Sequence, residues 1–170
     1  MFIKGEDYNF LTYNIFIILS GLGCVKGGSS LKDHRKLSFL IDFISNDSLI
    51  DIIEQNIDDA HFKINEVDRD LLNQSYTNSL LRVKIINQLV FTLTNENFIQ
   101  VTGKKLDKLN ITLNKESVSK EFLKGDMFKI ERDNLNRLKG LVQRMSIKDI
   151  SNILTSLYYN HGVLNEQIIN

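Results

Sequence analysis

The 170-residue sequence contains no proline and a single cysteine, and neither sign of charge is in excess. Without proline, helix ends have to be set by glycine, asparagine and capping side chains. A lone Cys24 excludes an intramolecular disulfide, and its place in the apolar segment IFIILSGLGCV predicts a buried structural thiol. Lysine plus arginine and aspartate plus glutamate number 21 each, whereas proteins that coat nucleic acid are usually more basic. Any contact with DNA is therefore expected to use a local patch.

Long hydrophobic runs are also missing. The longest, Ile15–Leu19, is far shorter than the roughly 20 residues that a membrane helix needs. The first residues, MFIKGEDYNFLTYN, show no basic stretch followed by a small-residue cleavage site. We therefore expect a cytoplasmic protein without membrane contact.

Signature motifs of enzymes and nucleotide-binding proteins do not occur. The sequence holds no G-x-x-x-x-G-K-[ST], G-x-G-x-x-G, G-x-S-x-G or H-E-x-x-H. CVKGGSS places glycines and serines before a helix start but lacks the P-loop lysine and spacing. His34, His61 and His161 lie far apart, so no metal site is predicted, and His161-Gly162 is typical of a helix C-terminus. We expect no enzymatic activity, cofactor, metal or small-molecule substrate.

The sequence does contain a series of helical apolar patterns. Residues 10–25 are apolar almost all round, which favours a buried helix ended by Gly27 and Gly28. Ser30, Asn114 and Ser146 are predicted to cap later helices. The later apolar stripes are Leu37, Leu40, Ile41 and Ile44; Leu49, Ile52 and Ile53; Leu81, Ile85, Ile86, Leu89, Val90 and Leu93; Leu135, Leu138, Val142 and Met145; and Ile147, Ile150, Ile153, Leu154, Leu157 and Tyr158.

The segment NENFIQVTGKKLDKLNITLNKE, residues 95–116, breaks the helical pattern. Ile99 and Val101, and later Leu109, Ile111 and Leu113, alternate with polar residues, as in two half-buried strands. A hairpin turn in the glycine-containing TGKKLDK segment would join them. Because an isolated hairpin is marginally stable, it must pack on helices. We predict a mainly α fold with a small β-hairpin, namely a winged helix-turn-helix-like core plus additional N- and C-terminal helices.

The acidic segment IDDAHFKINEVDRDLLNQ is the best candidate for an internal boundary. We divide the chain into an N-terminal helical part, 1–60, a winged-helix part, 61–125, with the hairpin at 98–113, and C-terminal helices, 126–170. We expect these parts to form one compact unit.

Basic residues are in excess around the hairpin. Between Tyr76 and Lys115, six lysines and arginines face two acidic residues, a local excess of four positive charges. A solvated charged face is the alternative interpretation, and no helix face rich in arginine, asparagine and glutamine predicts base-specific recognition. The candidates for contact with DNA or a protein partner are Arg82, Lys84, Lys104, Lys105 and Lys108.

The order of elements resembles the small middle components of bacterial three-component ABC systems. This group includes the accessory subunit of Lamassu-type SMC defence complexes. The resemblance rests on an apolar first helix leading into LKDHRKLSFLIDFIS, on YTNSLLRVKIINQLVFTLTNENFIQVT, on LNITLNKESVSKEFL and on LNRLKGLVQRMSIKDISNIL. It covers nearly the whole chain, but consists of apolar patterns without a catalytic signature.

The resemblance implies a winged-helix protein without enzymatic activity. Such a subunit is encoded with an SMC-like ATPase of the ABC type and a toxic effector, commonly a nuclease. It bridges the two and restrains the effector until foreign DNA is sensed. The neutral charge of this chain departs from what direct DNA binding by the subunit would need.

Two functions from different classes follow. The first is an interaction subunit of an SMC-type anti-phage or anti-plasmid complex. In that case the apolar stripes of the last two helices, which exceed what a small lobe needs, are expected to contact a partner. The alternative is a dimeric winged-helix transcription regulator that binds operator DNA.

Overall fold

The computed structural model describes residues 7–58, 63–103 and 107–163. This part of the chain is mainly helical, with one small antiparallel hairpin, as the sequence predicts. The helices are α1 (Tyr8–Gly21), α2 (Lys36–Ile44), α3 (Asp47–Asp58), α4 (Glu66–Asn95), α5 (Lys120–Lys124), α6 (Lys129–Leu141) and α7 (Ile150–Leu157), and the strands are β1 (Ile99–Thr102) and β2 (Asn110–Leu113). Short 3₁₀ turns cover Lys115–Ser117, Asp126–Phe128 and Tyr159–His161.

Helix α1 is the buried helix that its apolar sequence predicts. Asp7 begins it, because the carboxylate accepts hydrogen bonds from the backbone N–H groups of Asn9 and Phe10. The helix packs against α2, α4, α5 and α6. It ends at Gly21 and not, as predicted, at Gly27. At Gly21, α6 approaches so closely that a Cβ on this residue would lie 2.4 Å from the side chain of Leu135.

Helix α4 is the longest element, at 30 residues. It begins at Glu66, well before the apolar pattern around Tyr76 becomes clear, because the Asn65 side chain caps it by accepting from the N–H of Asp68. Its inner face packs mainly on α2. The predicted boundary segment therefore lies partly within a continuous helix.

The hairpin follows α4 directly. Ile99 pairs with Leu113 and Val101 with Ile111 in antiparallel register. The outer edge of β2 is covered by the loop between α1 and α2, because the N–H of Lys26 donates to Leu113 and that of Leu31 to Ile111, both at 2.9 Å. Ile111, Thr112 and Leu113 are therefore all buried, instead of alternating.

Three predicted helix caps are wrong. Ser30 does not begin a helix, since α2 starts at Lys36. Asn114 precedes a 3₁₀ turn without capping it, and the hydroxyl of Ser119 caps α5 instead. Ser146 lies between α6 and α7, because α6 stops at Leu141 and α7 starts only at Ile150.

The core is one cluster of buried side chains to which all three predicted parts of the chain contribute. The apolar stripes of the last two helices lie within it. Leu138, Ile153 and Leu157 are fully buried by other residues of this chain. The prediction that these stripes form a surplus surface for a partner is therefore wrong, because α1, α2 and α3 already cover α6.

Candidate interaction surface

The predicted contact residues around the hairpin are only partly within the described chain. Lys104 and Lys105 lie outside the described residues. Gly103, with a φ of 127°, begins the turn in a conformation that favours glycine, and Lys108 on the other side of the turn is exposed. Lys108 is therefore placed where a partner could reach it.

Arg82 is turned into the protein. Its side chain lies between α4 and α2, where one guanidinium nitrogen donates to the backbone carbonyl of Ser38 at 3.1 Å and another to the Asp42 carboxylate at 3.0 Å. The residue is only 8% exposed. A buried guanidinium engaged in this way holds two helices together and is not available to a phosphate or a partner. Arg82 is thus separated from the other candidates.

Lys84 lies on the outward face of α4, close to two exposed apolar side chains. Leu81 is 73% and Phe91 69% exposed, and the spacing of three and seven residues puts all three on one side of the helix. The apolar pattern of the sequence predicts Leu81 in the core stripe, and this prediction is wrong, because Leu81 is exposed. This set of Leu81, Lys84 and Phe91 is called the α4 outer patch below.

A second group of exposed apolar side chains lies where α6 begins. Met127 is 79% and Ile130 62% exposed. They adjoin an aromatic cluster, in which the centroid of the Tyr13 ring lies 4.9 Å from that of Phe122 and 5.4 Å from that of Phe128. Large exposed apolar side chains next to one another mark interaction sites more often than isolated ones do.

His34 positions the hairpin relative to the helices. Its Nε2 lies 2.7 Å from the side-chain oxygen of Asn87 on α4, and its Nδ1 accepts from the N–H of Leu109 at 3.2 Å. The imidazole is 3% exposed, and burial lowers its pKa. A neutral ring with its proton on Nε2 satisfies both contacts, because Nε2 then donates to the Asn87 oxygen and Nδ1 accepts from the N–H of Leu109. The sequence gives no signal for this role, because both partners are distant along the chain.

Lys36 is a second buried polar residue that sequence reasoning missed. It is fully buried, and its ammonium donates to the backbone carbonyls of Met145, Ser146 and Lys148 at 2.8, 3.0 and 2.9 Å. These carbonyls lie in the connection between α6 and α7. Lys36 thereby ties that connection to α2.

His161 and Cys24, whose side chains can act in catalysis or metal binding elsewhere, are both buried in this fold. The ring of His161 is buried, contacts the side chain of Asn56 at 2.6 Å and donates to the carbonyl of Ser156 at 2.9 Å, so it is a core residue more than a helix cap. Cys24 is fully buried, and burial raises the pKa of its thiol. Within residues 7–58, 63–103 and 107–163, no three His, Cys, Asp or Glu side chains are grouped as a metal site would require. His61 lies outside the described residues.

Comparisons of the chain with protein-family models, curated proteins and solved structures find no match. Among the described helices, none combines the length and apolar character that crossing a membrane requires. Function has to be argued from the surface itself.

Proposed function

We propose that this chain is a non-enzymatic, cytoplasmic accessory subunit of an SMC-like, ABC-type ATPase complex that acts against phages or plasmids. In this proposal it bridges the ATPase and a nuclease-type effector and restrains the effector. The observation that carries the proposal is the α4 outer patch, because two large apolar side chains, Leu81 and Phe91, are exposed on the helix that leads straight into the hairpin.

The winged-helix interpretation of the fold belongs to this proposal. The hairpin would be the wing, and the loop from Cys24 to Leu31, which pairs with the outer edge of β2, would take the place of a third strand. Helix α4 packs on α2 and carries its patch on the opposite, solvent-facing side. Support comes from this order of elements and from the resemblance noted in the sequence.

The test is co-purification of the tagged chain with the products of its neighbouring genes. We expect an SMC-like ATPase and an effector to be retained. The double variant Leu81→Asp/Phe91→Asp should lose at least one of them. Val67→Asp is a matched control, because Val67 is 77% exposed on the same helix but lies far from the patch.

Two results would contradict the proposal. The first is retention of neither gene product by the wild-type chain. The second is specific binding of an operator by a dimer of the chain alone, which would establish the transcription regulator instead.

A further inference from the structure

A cavity of about 310 Å³ opens at the base of the hairpin. It lies beside Asn114, at the end of β2 opposite to Asn110, the residue that pairs with Thr102 next to the turn. It is therefore distinct from the predicted contact lysines of the turn. Its lining residues are Val25, Lys26, Asn114, Lys115, Glu116 and Lys120.

The lysines of the cavity come from separate segments, each held by hydrogen bonds. The N–H of Lys26 donates to the carbonyl of Leu113 at 2.9 Å. Lys115 begins a 3₁₀ turn that is anchored where the N–H of Asn114 donates to Phe98 at 2.8 Å. Lys120 is the first residue of α5, which the Ser119 hydroxyl caps. The backbone thus brings Lys26 close to Lys115 and Lys120, which lie far from it in the sequence.

The residues that line the cavity carry a net positive charge. Its lining includes Lys26, Lys115 and Lys120 against a single acid, Glu116, which leaves a net charge of three minus one, or +2. All four side chains are exposed, and within the described residues none of the four takes part in an ion pair. Within the described residues, their charges are therefore not neutralised by an ion pair.

We propose that this cavity binds a phosphate group of a nucleotide or a nucleic acid. A phosphate monoester, as in AMP, carries about −1.5 to −2 charges at neutral pH, which is close to the net charge of the lining residues. A backbone phosphodiester of a nucleic acid carries about −1, as a carboxylate does, so the charge match favours a monoester. Lysine ammonium groups bind phosphate as point charges. The volume lies at the lower end of the range of ligand pockets, roughly 300–1,000 Å³.

This inference goes beyond the proposed function and does not depend on it. Binding is measured on the full-length chain with inorganic phosphate, AMP, ATP and a short DNA duplex, by calorimetry and fluorescence anisotropy. The test variant is Lys26→Gln/Lys115→Gln/Lys120→Gln. The matched control is Lys32→Gln/Lys63→Gln/Lys129→Gln, which removes three exposed lysines that do not line the cavity.

We expect the test variant to bind a phosphate-bearing probe at least roughly tenfold more weakly, equivalent to about 1.4 kcal/mol. The control should bind like the wild type. Glu116→Gln should bind more tightly, because it removes the only negative charge of the lining. This gain keeps the test decisive even if the triple variant folds poorly.

The probes distinguish the two sources of phosphate. Binding of AMP or ATP without binding of DNA assigns the site to free nucleotides, and the reverse assigns it to a nucleic-acid backbone. The proposal is overturned if no probe binds the wild type, if the control loses as much affinity as the test variant, or if a glutamate-rich peptide competes as well as the phosphate-bearing probes.

Discussion

Lys36 shows how a single charged residue is accommodated in this core. Burial lowers its pKa to about 8; electrostatic interactions with Asp33, with Asp149 and with Cys24 where its thiol is ionised oppose that shift, while Lys32 adds to it. No carboxylate of the described residues forms an ion pair with the ammonium, which is held by the three backbone carbonyls alone. Lys36 therefore holds the connection between α6 and α7 against α2, and burying its charge costs free energy.

The stability of the fold should consequently depend on the protonation of Lys36. Its pKa is 10.5 when unfolded and about 8 when folded, so between these values the unfolded chain binds more protons. This contribution to the free energy of unfolding is constant below about pH 8 and rises as pH increases toward 10.5. The rise is roughly 3 kcal/mol at most, since one pKa unit corresponds to about 1.4 kcal/mol.

Urea unfolding of the wild type and Lys36→Met between pH 7 and 10 checks this prediction. Only the difference between the two proteins is interpreted, because the raised pKa values of Cys24 and Tyr158 affect both. The wild type should gain stability relative to Lys36→Met above about pH 8. A difference that stays constant over this range would mean that the ammonium keeps its proton in the folded state.

Leu138 is the residue at which truncation should be most informative. It is fully buried on α6, and replacing a buried leucine by alanine typically costs about 2–5 kcal/mol, because apolar contacts are lost and a cavity remains. Leu138→Ala should therefore melt at a clearly lower temperature. The matched control is Leu81→Ala, since Leu81 is 73% exposed and should melt like the wild type. Equal melting of both variants would disprove the burial of Leu138.

At the scale of secondary-structure elements, local patterns predicted the hairpin. Contacts between distant segments decided how the edge of the hairpin is covered. The alternation of Ile99 with Val101 is a local signal, and β1 is where it predicts. By contrast, nothing near β2 predicts that the loop after α1 covers its outer edge. The early start of α4 follows from one cap, at Asn65, in an otherwise polar stretch.

The candidate contact residues could be predicted from the sequence only in part, for the same reason. Lysines and arginines are exposed by default, so the burial of Arg82 and Lys36 becomes visible only when their partners on other helices are known. The cavity lined by Lys26, Lys115 and Lys120 was also missed, because its charges come from separate segments.

The turn of the hairpin is expected to be a contact surface that the fold does not need. The buried hairpin side chains, Ile99, Ile111 and Leu113, lie in the strands. Replacing Lys104, Lys105 and Lys108 together by Glu should therefore leave the circular dichroism spectrum and melting temperature nearly unchanged. The variant should bind DNA or an acidic partner more weakly, because three positive charges become negative.

Complex formation and phage defence are the readouts for the hairpin variant. The triple substitution of Lys63, Lys124 and Lys129 by Glu is the control, since it changes net charge equally at exposed sites away from the hairpin. If the hairpin variant assembles and protects cells as well as the wild type does, the turn is not a contact surface.

At the scale of the whole molecule, charge and exposed apolar surface act together. The net charge is zero, so little electrostatic repulsion keeps copies apart. The sequence predicts that the surface prone to self-association lies on the apolar stripes of the last two helices, but Leu138, Ile153 and Leu157 of those stripes are buried. Exposed apolar side chains instead include Met127 and Ile130 and those of the α4 outer patch.

We therefore predict that the chain self-associates when it is produced alone and stays soluble when it is co-expressed with the ATPase proposed above as its partner. The physical reason is that apolar side chains adapted to contact a partner remain in water in the free subunit. Light scattering on the isolated chain should show growth of particle mass with concentration, and Met127→Ser/Ile130→Ser should reduce it. Val67→Ser is the control, because it removes an equally exposed apolar side chain outside both groups. A wild-type chain that stays monomeric at high concentration would count against an obligate subunit and favour a protein that acts alone.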